Sequence, residues 1–200
     1  TNGISFSGKD ASKTNFLDNI SEKKIIHLAM HAFLNNETPE FSSLVFEDGP
    51  LYLSELYALK LKADLVVLSA CDTGLGKFET GKGVVSMNNA FLYAGVPNTI
   101  STIWSVPDEN SKNIMVSFYE QLNAGQSTAE ALQTAKKIYL DATSNPKLKH
   151  PFYWAGFIHH GQATHIAFSN QWNSIWFGLI VIVGAVLAFL FIRRSKTKTE

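Results

Sequence analysis

The sequence predicts an α/β domain with a mostly parallel sheet, followed by one transmembrane helix. Three observations predict it. Apolar runs of strand length, above all Ile25 to Met30 and Asp64 to Ala70, alternate with segments of helical spacing. The second of these runs, DLVVLSA, is almost continuously apolar, as expected of a central parallel strand covered on both faces. Near the end of the chain, Ile175 to Ile192 carries no charge over 18 residues.

The elements follow in order. Residues 1 to 24 are polar, with a short amphipathic piece around Phe16, Leu17 and Ile20. Ile25 to Met30 reads as a buried strand, and Asn35 to Glu40 as a loop holding Pro39. Ser43 to Phe46 reads as a short strand closed by an Asp48-Gly49-Pro50 turn. Apolar residues at 53, 56, 57 and 61 predict a helix over Leu51 to Leu61. After the Asp64 to Ala70 strand, Gly74, Gly76, Gly81 and Gly83 mark a loop that is compact and mobile. Val84 to Tyr93 reads as a helix stopped at Gly95 with Pro97 beyond it. Thr99 to Val106 is a further strand. Asp108 is expected to cap a helix running through Leu122, with Ile114, Met115, Phe118, Tyr119 and Leu122 on one face. Ser127 and Glu130 make a capping box for a helix reaching about Asp141. Pro146 and Pro151 bracket a loop, and Phe152 to Ile158 is the last apolar strand.

Composition narrows the function. Lys+Arg and Asp+Glu are both 17, so the formal charge is zero. No basic stripe suggests a nucleic-acid footprint. The single cysteine, Cys71, allows no internal disulfide and no multi-cysteine zinc cage. The chain opens at Thr1 without a cleavable-signal pattern, and it is expected to be the C-terminal piece of a longer protein.

The uncharged run is expected to cross a membrane. From Trp172 to Ile192, at a rise of about 1.5 Å per residue, it spans roughly 30 Å, the thickness of a bilayer's hydrocarbon core. Trp172 and Trp176 mark one interface, and Arg193, Arg194, Lys196 and Lys198 crowd the other. The basic tail, 193 to 200, is expected in the cytoplasm and the globular part across the membrane.

His31 and Cys71 each fall just past the carboxyl end of an expected strand, where open α/β sheets gather their chemistry. An imidazole beside a thiol can take its proton, and the thiolate is the nucleophile. Backbone N–H groups of Ala32 and Cys71 are candidates for an oxyanion hole. The plainer alternative is packing: a cysteine ending an apolar strand is a good small hydrophobe. His159, His160 and His165 lack carboxylate or cysteine spacing and are expected to be surface residues rather than metal ligands. Trp104 and Trp154 are expected in the core.

Four segments carry a resemblance. His27-Leu28-Ala29-Met30-His31-Ala32 resembles the histidine motif of the CHAT domain, a caspase-like domain often found beside tetratricopeptide repeats. Leu65 to Gly74 (LVVLSACDTG) resembles its cysteine motif. Ala90 to Gly95 with Ser101 to Val106, and His150 to Phe157, resemble the elements that follow. The resemblance covers residues 10 to 160, placing the domain at 1 to 165 with its first strands expected before Thr1. It implies a caspase-like three-layer sandwich and peptide-bond hydrolysis by a cysteine/histidine dyad, Cys71 and His31. It implies no metal or organic cofactor. Its implied partners are a protein or peptide substrate, an upstream repeat region and an activating protein.

Two further residues are weaker candidates for substrate binding. Asp72 either orients substrate or caps its loop. Asp108 follows the strand that lines the groove in similar peptidases. One departure stands out: Ala32 replaces the glycine usual after the family's histidine. A non-catalytic interaction module keeping the same fold is therefore the rival reading. A redox-sensing thiol is a third, without a resolving cysteine in this chain. The pattern as a whole suits a bacterial envelope protein.

Overall fold

The computed structural model describes residues 3–35, 37–69, 77–79, 83–85 and 87–168, the two short internal pieces as backbone only. The chain divides into two units, Thr1–Ile166 and Ala167–Glu200. Nearly all of the second unit, with the expected membrane span at 172 to 192 and the basic tail, lies outside the described residues. Among the described residues no helix is long and apolar enough to cross a membrane.

Helix α1, Lys13–Ile20, is capped by Ser12, whose hydroxyl accepts from the Asn15 N–H, and it buries Phe16 and Ile20. Strand β1, Ile25–Leu28, then enters the main sheet, and β2, Ala32–Phe33, follows almost at once. A 3₁₀ turn at Pro39–Phe41 leads to β3, Ser43–Phe46, and β4, Gly49–Tyr52. Helix α2, Leu53–Ala58, starts where the Glu55 carboxylate accepts from the Tyr52 N–H at 3.0 Å. Strand β5, Leu65–Leu68, is buried at every position. A hairpin of β6, Lys77–Glu79, and β7, Gly83–Val85, precedes α3, Met87–Tyr93. Strand β8, Asn98–Thr102, α4, Asp108–Asn123, α5, Thr128–Ala142, and β9, Phe157–Gly161, complete the domain.

The main sheet has the order β1-β5-β8-β9. Its first two pairings are parallel and only β8 to β9 is antiparallel. The mixed α/β class with a mostly parallel sheet thus holds. Parallel neighbours need a crossover, and helices supply it here. One face of the sheet, through Ile26, Leu28, Val66 and Leu68, shares a core with Phe16, Ile20, Leu53, Leu56 and Phe91 of α1, α2 and α3. The helix pair α4 and α5 buries its own stripe, Ile114, Met115, Phe118 and Leu122 together with Ala131, Leu132, Ala135 and Tyr139.

Several boundaries differ from expectation, each for a local reason. Gly49-Pro50 is strand rather than turn: β4 pairs antiparallel with β3, Val45 opposite Pro50, and an edge strand tolerates a proline. This shortens the helix expected from Leu51 to α2. Residues 83–85 are strand and not the start of a helix, because β7 pairs back on β6. Asp108 is the first residue of α4, not its cap; the cap position is Pro107, without a side-chain bond. The last strand begins at Phe157, not Phe152, since Pro151–Tyr153 closes a 3₁₀ turn capped by the His150 ring, which accepts from the Phe152 N–H. The capping box of α5 is as expected: the Ser127 hydroxyl accepts from the Glu130 N–H, and the Glu130 carboxylate from the Ser127 N–H at 3.1 Å.

Candidate functional site

The two strands bearing the expected dyad are direct neighbours in the sheet. β1 and β5 run parallel with Ile25 opposite Leu65 and Leu28 opposite Leu68. Both therefore end at the same edge. Counting on from that last pair, His31 is the third residue past Leu28 and Cys71 the third past Leu68. Neighbouring strands lie about 4.8 Å apart, so the register starts the two segments side by side.

His31 is exposed at the join between β1 and β2, and its carbonyl accepts from the Val45 N–H at 2.9 Å. That bond fixes the backbone at the histidine to the small sheet β2-β3-β4. Ala32 is opposite Leu44 in β2, and the flanking bond from Val45 to His31 marks it as a non-hydrogen-bonded position of the ladder. Its N–H is therefore not consumed by β3. The extended strand conformation suits an alanine as well as a glycine. Cys71 and Asp72 lie outside the described residues. Asp108 is described, and it is exposed in the first turn of α4.

A second histidine, which the sequence reading passed over as part of a buried strand, is held more tightly. His27 sits in β1, opposite Val67. Its Nε2 is 2.9 Å from Ser69 Oγ, and its Nδ1 is 3.0 Å from the Tyr119 hydroxyl of α4. The two rings are also neighbours, with centroids 5.7 Å apart. Much of the residue's surface is open to solvent, as befits an edge strand, while its ring is flanked by Ser69 on one side and Tyr119 on the other, a partial enclosure. That enclosure disfavours the imidazolium and holds the His27 pKa below its ordinary value. The same enclosure pushes the Tyr119 phenol well up, so it stays protonated. The signal for His27 was present in the sequence: one polar side chain alternating with Ile26 and Leu28 in a strand of period two.

The later histidines do different work. His159 Nε2 is 2.9 Å from Thr128 Oγ1, tying β9 to the start of α5. His165 Nδ1 is 2.9 Å from the Gly125 carbonyl. His160 Nε2 is buried without a hydrogen-bond partner among the described residues. Burial lowers the pKa of both His159 and His160. The two tryptophans expected in the core are half-buried clasps instead: Trp104 donates to the Phe152 carbonyl at 2.9 Å and Trp154 to the Lys149 carbonyl at 3.0 Å.

These depressed histidines set a pH dependence. The unfolded chain takes up protons near pH 6.5, while folded His27, His159 and His160 resist protonation until lower pH. In that window the unfolded state binds more protons, so stability is complete above about pH 6.5 and falls as the solution is acidified. The carboxylates of Asp48, Glu55 and Glu130, lowered by their hydrogen bonds, add the same trend only below about pH 4. Melting curves should therefore show the transition temperature dropping from pH 7.5 to pH 5, with most of the drop below pH 6.5. A flat profile over that range would contradict the burial of these rings.

Comparison with known proteins agrees with this geometry. A family model, the CHAT domain, matches residues 2–162. Tetratricopeptide repeat protein 28 of Mus musculus is 35% identical over 107 residues, and that of Homo sapiens is 33% identical over 108. Each match covers 54% of this chain and 4% of the relative. The match over residues 2–162, on a domain whose β1 and β5 run as parallel neighbours, leads to one conclusion: the chain belongs to the CHAT domain family.

Proposed function

We propose that this domain is a cysteine endopeptidase of caspase-like architecture, anchored to a membrane through 172 to 192, with a cytoplasmic tail and an extracytoplasmic domain. The observation that supports it best is the parallel register of β1 and β5, which starts His31 and Cys71 from the same edge at equal distance from the last pair. In this reading His31 takes the thiol proton and the Cys71 sulfur attacks the substrate carbonyl carbon. The Ala32 N–H, left unused by the β2–β3 ladder, and the Cys71 N–H donate to the carbonyl oxygen as negative charge develops on it. As the C–N bond breaks, the imidazolium returns its proton to the leaving amine, and a thioester remains. Water, deprotonated by His31, then attacks the thioester, releasing the carboxylic acid and restoring the thiol. Asp72 and Asp108 are candidates for substrate contacts. A repeat region joined to this domain, as the names of the relatives suggest, would bring the substrate or an activator.

Covalent capture tests this. The full-length protein in membranes is treated with peptidyl acyloxymethyl ketones differing in the residue before the warhead. Labelling of the wild type is expected to vanish in both Cys71→Ala and His31→Ala. Labelling that persists in His31→Ala would indicate a merely accessible thiol and overturn the mechanism. No labelling at all, with repeat-region partners supplied, would favour a non-catalytic interaction module.

A further inference from the structure

The polar trio of His27, Ser69 and Tyr119 has no role in the chemistry above, yet it ties three parts of the fold together beside the candidate site. Its members come from three elements: β1, the residue after β5, and α4. It lies where an apolar contact would be expected, since His27 is opposite fully buried Val67. His27 is exposed as a residue, yet both of its ring nitrogens find partners within the fold, at 2.9 and 3.0 Å. A neutral imidazole has one donor and one acceptor nitrogen, so the two hydroxyls must take complementary roles. The result is a directed chain of hydrogen bonds from α4 to the end of β5. Ser69 is fastened twice, by its hydroxyl to His27 and by its N–H to the Leu28 carbonyl at 2.9 Å. Two residues later in sequence comes Cys71.

We infer that His27 is a positioning residue: acting through Ser69, it fixes the end of β5 and so the setting of the thiol relative to His31. This rests on the dyad reading above. It differs from that reading in naming a residue that touches neither substrate nor the reacting atoms. Misplacing a reacting group by about 1 Å can lower a rate by about a hundredfold, so a bond at the base of the nucleophile's segment has leverage.

The test uses the full-length protein and follows iodoacetamide alkylation of Cys71 by mass spectrometry of its peptide, across pH 5 to 9. Wild type is compared with His31→Ala, His27→Phe, His27→Gln, Ser69→Ala and the double variant His27→Phe with Ser69→Ala. Melting curves confirm that each variant is folded. His27→Phe and Ser69→Ala are each expected to slow alkylation at pH 6 by about tenfold and to move the pH profile upward. The double variant should be no slower than either single one, because the two residues act through one bond. His27→Gln, whose amide can reach Ser69, should recover most of the rate. Effects that multiply in the double variant, or an alkylation profile unchanged by His27→Phe, would overturn the inference. The outcomes separate the two claims. If His31→Ala slows alkylation and His27→Phe does not, the dyad stands and the positioning role falls. If His27→Phe slows it and His31→Ala does not, the dyad falls, and the role of setting the thiol relative to His31 falls with it.

Discussion

Replacing Gly161 by alanine is expected to leave little folded protein. Gly161 ends β9 with φ of 110°, a backbone region that side chains rarely adopt. A Cβ built there would collide with the Pro97 carbonyl oxygen and lie 3.0 Å from Asn98 Cα. Both are backbone atoms, so no side chain can swing aside. Asn98, directly after Pro97, starts β8 opposite Gly161 in the register, and its amide also donates to the Asp64 carbonyl at 3.1 Å and to Thr164 at 2.6 Å. Moving that backbone would disturb three segments at once. Strain at φ and forced separation of the strands each cost about 1–3 kcal/mol, and together they approach the total stability of a small domain. Gly125→Ala provides the comparison. Gly125 also has a positive φ, 91°, but nothing lies within 4 Å of its added Cβ. Denaturant titration should find Gly125→Ala folded and modestly weakened, and Gly161→Ala far weaker. Equal losses in the two would show that φ alone matters and that β9 can drift from β8 without cost.

Phe118→Ala is expected to remove about 3–5 kcal/mol, the usual cost of hollowing a core at an aromatic site. Phe118 is fully buried on the inner stripe of α4, with Ile114 one turn before it and Leu122 one turn after it. Its ring is 5.2 Å from that of Tyr119. The variant should therefore lose stability in urea and also loosen the hold on His27, raising the histidine's pKa toward 6.5 in an NMR titration. Val116→Ala, on the exposed side of the same helix, should change neither quantity measurably.

What the sequence disclosed depended on whether the deciding interaction was local. The Ser127/Glu130 box is made within three residues, and it was legible. So were the strands at Ile25 and Leu65, because apolar runs bounded by polar residues carry their own signal. The hairpin of β3 and β4 was not, since Gly49-Pro50 becomes strand only through pairing with Phe46 and Val45. The last strand was misplaced because its apolar prelude, Pro151 to Trp154, is turned aside by two prolines and a histidine cap. The actual strand carries two histidines on an edge, where burial is incomplete. At the site, the positions of His31 and Ala32 past β1 were legible from spacing. The grip on His27 was not, because Tyr119 is distant in sequence and only the packing of α4 over the sheet brings the hydroxyl to the ring.

The placing of β9 beside β8 has a consequence for how the chain is made. In chain order β5 is made before β8, so that partner is at hand when β8 is synthesised, but the other edge of β8 waits. Thr102 pairs with Phe157, and both long helices must be synthesised before that partner exists. Until then a nascent chain presents an open row of backbone donors and acceptors, the template on which neighbouring chains stack. The helices α4 and α5 are local in sequence and form fast, so they can shield the sheet's face while its rim stays bare. Slowing translation through residues 124 to 156 would lengthen that interval, and aggregation during synthesis, rather than instability of the finished domain, is the failure this topology invites.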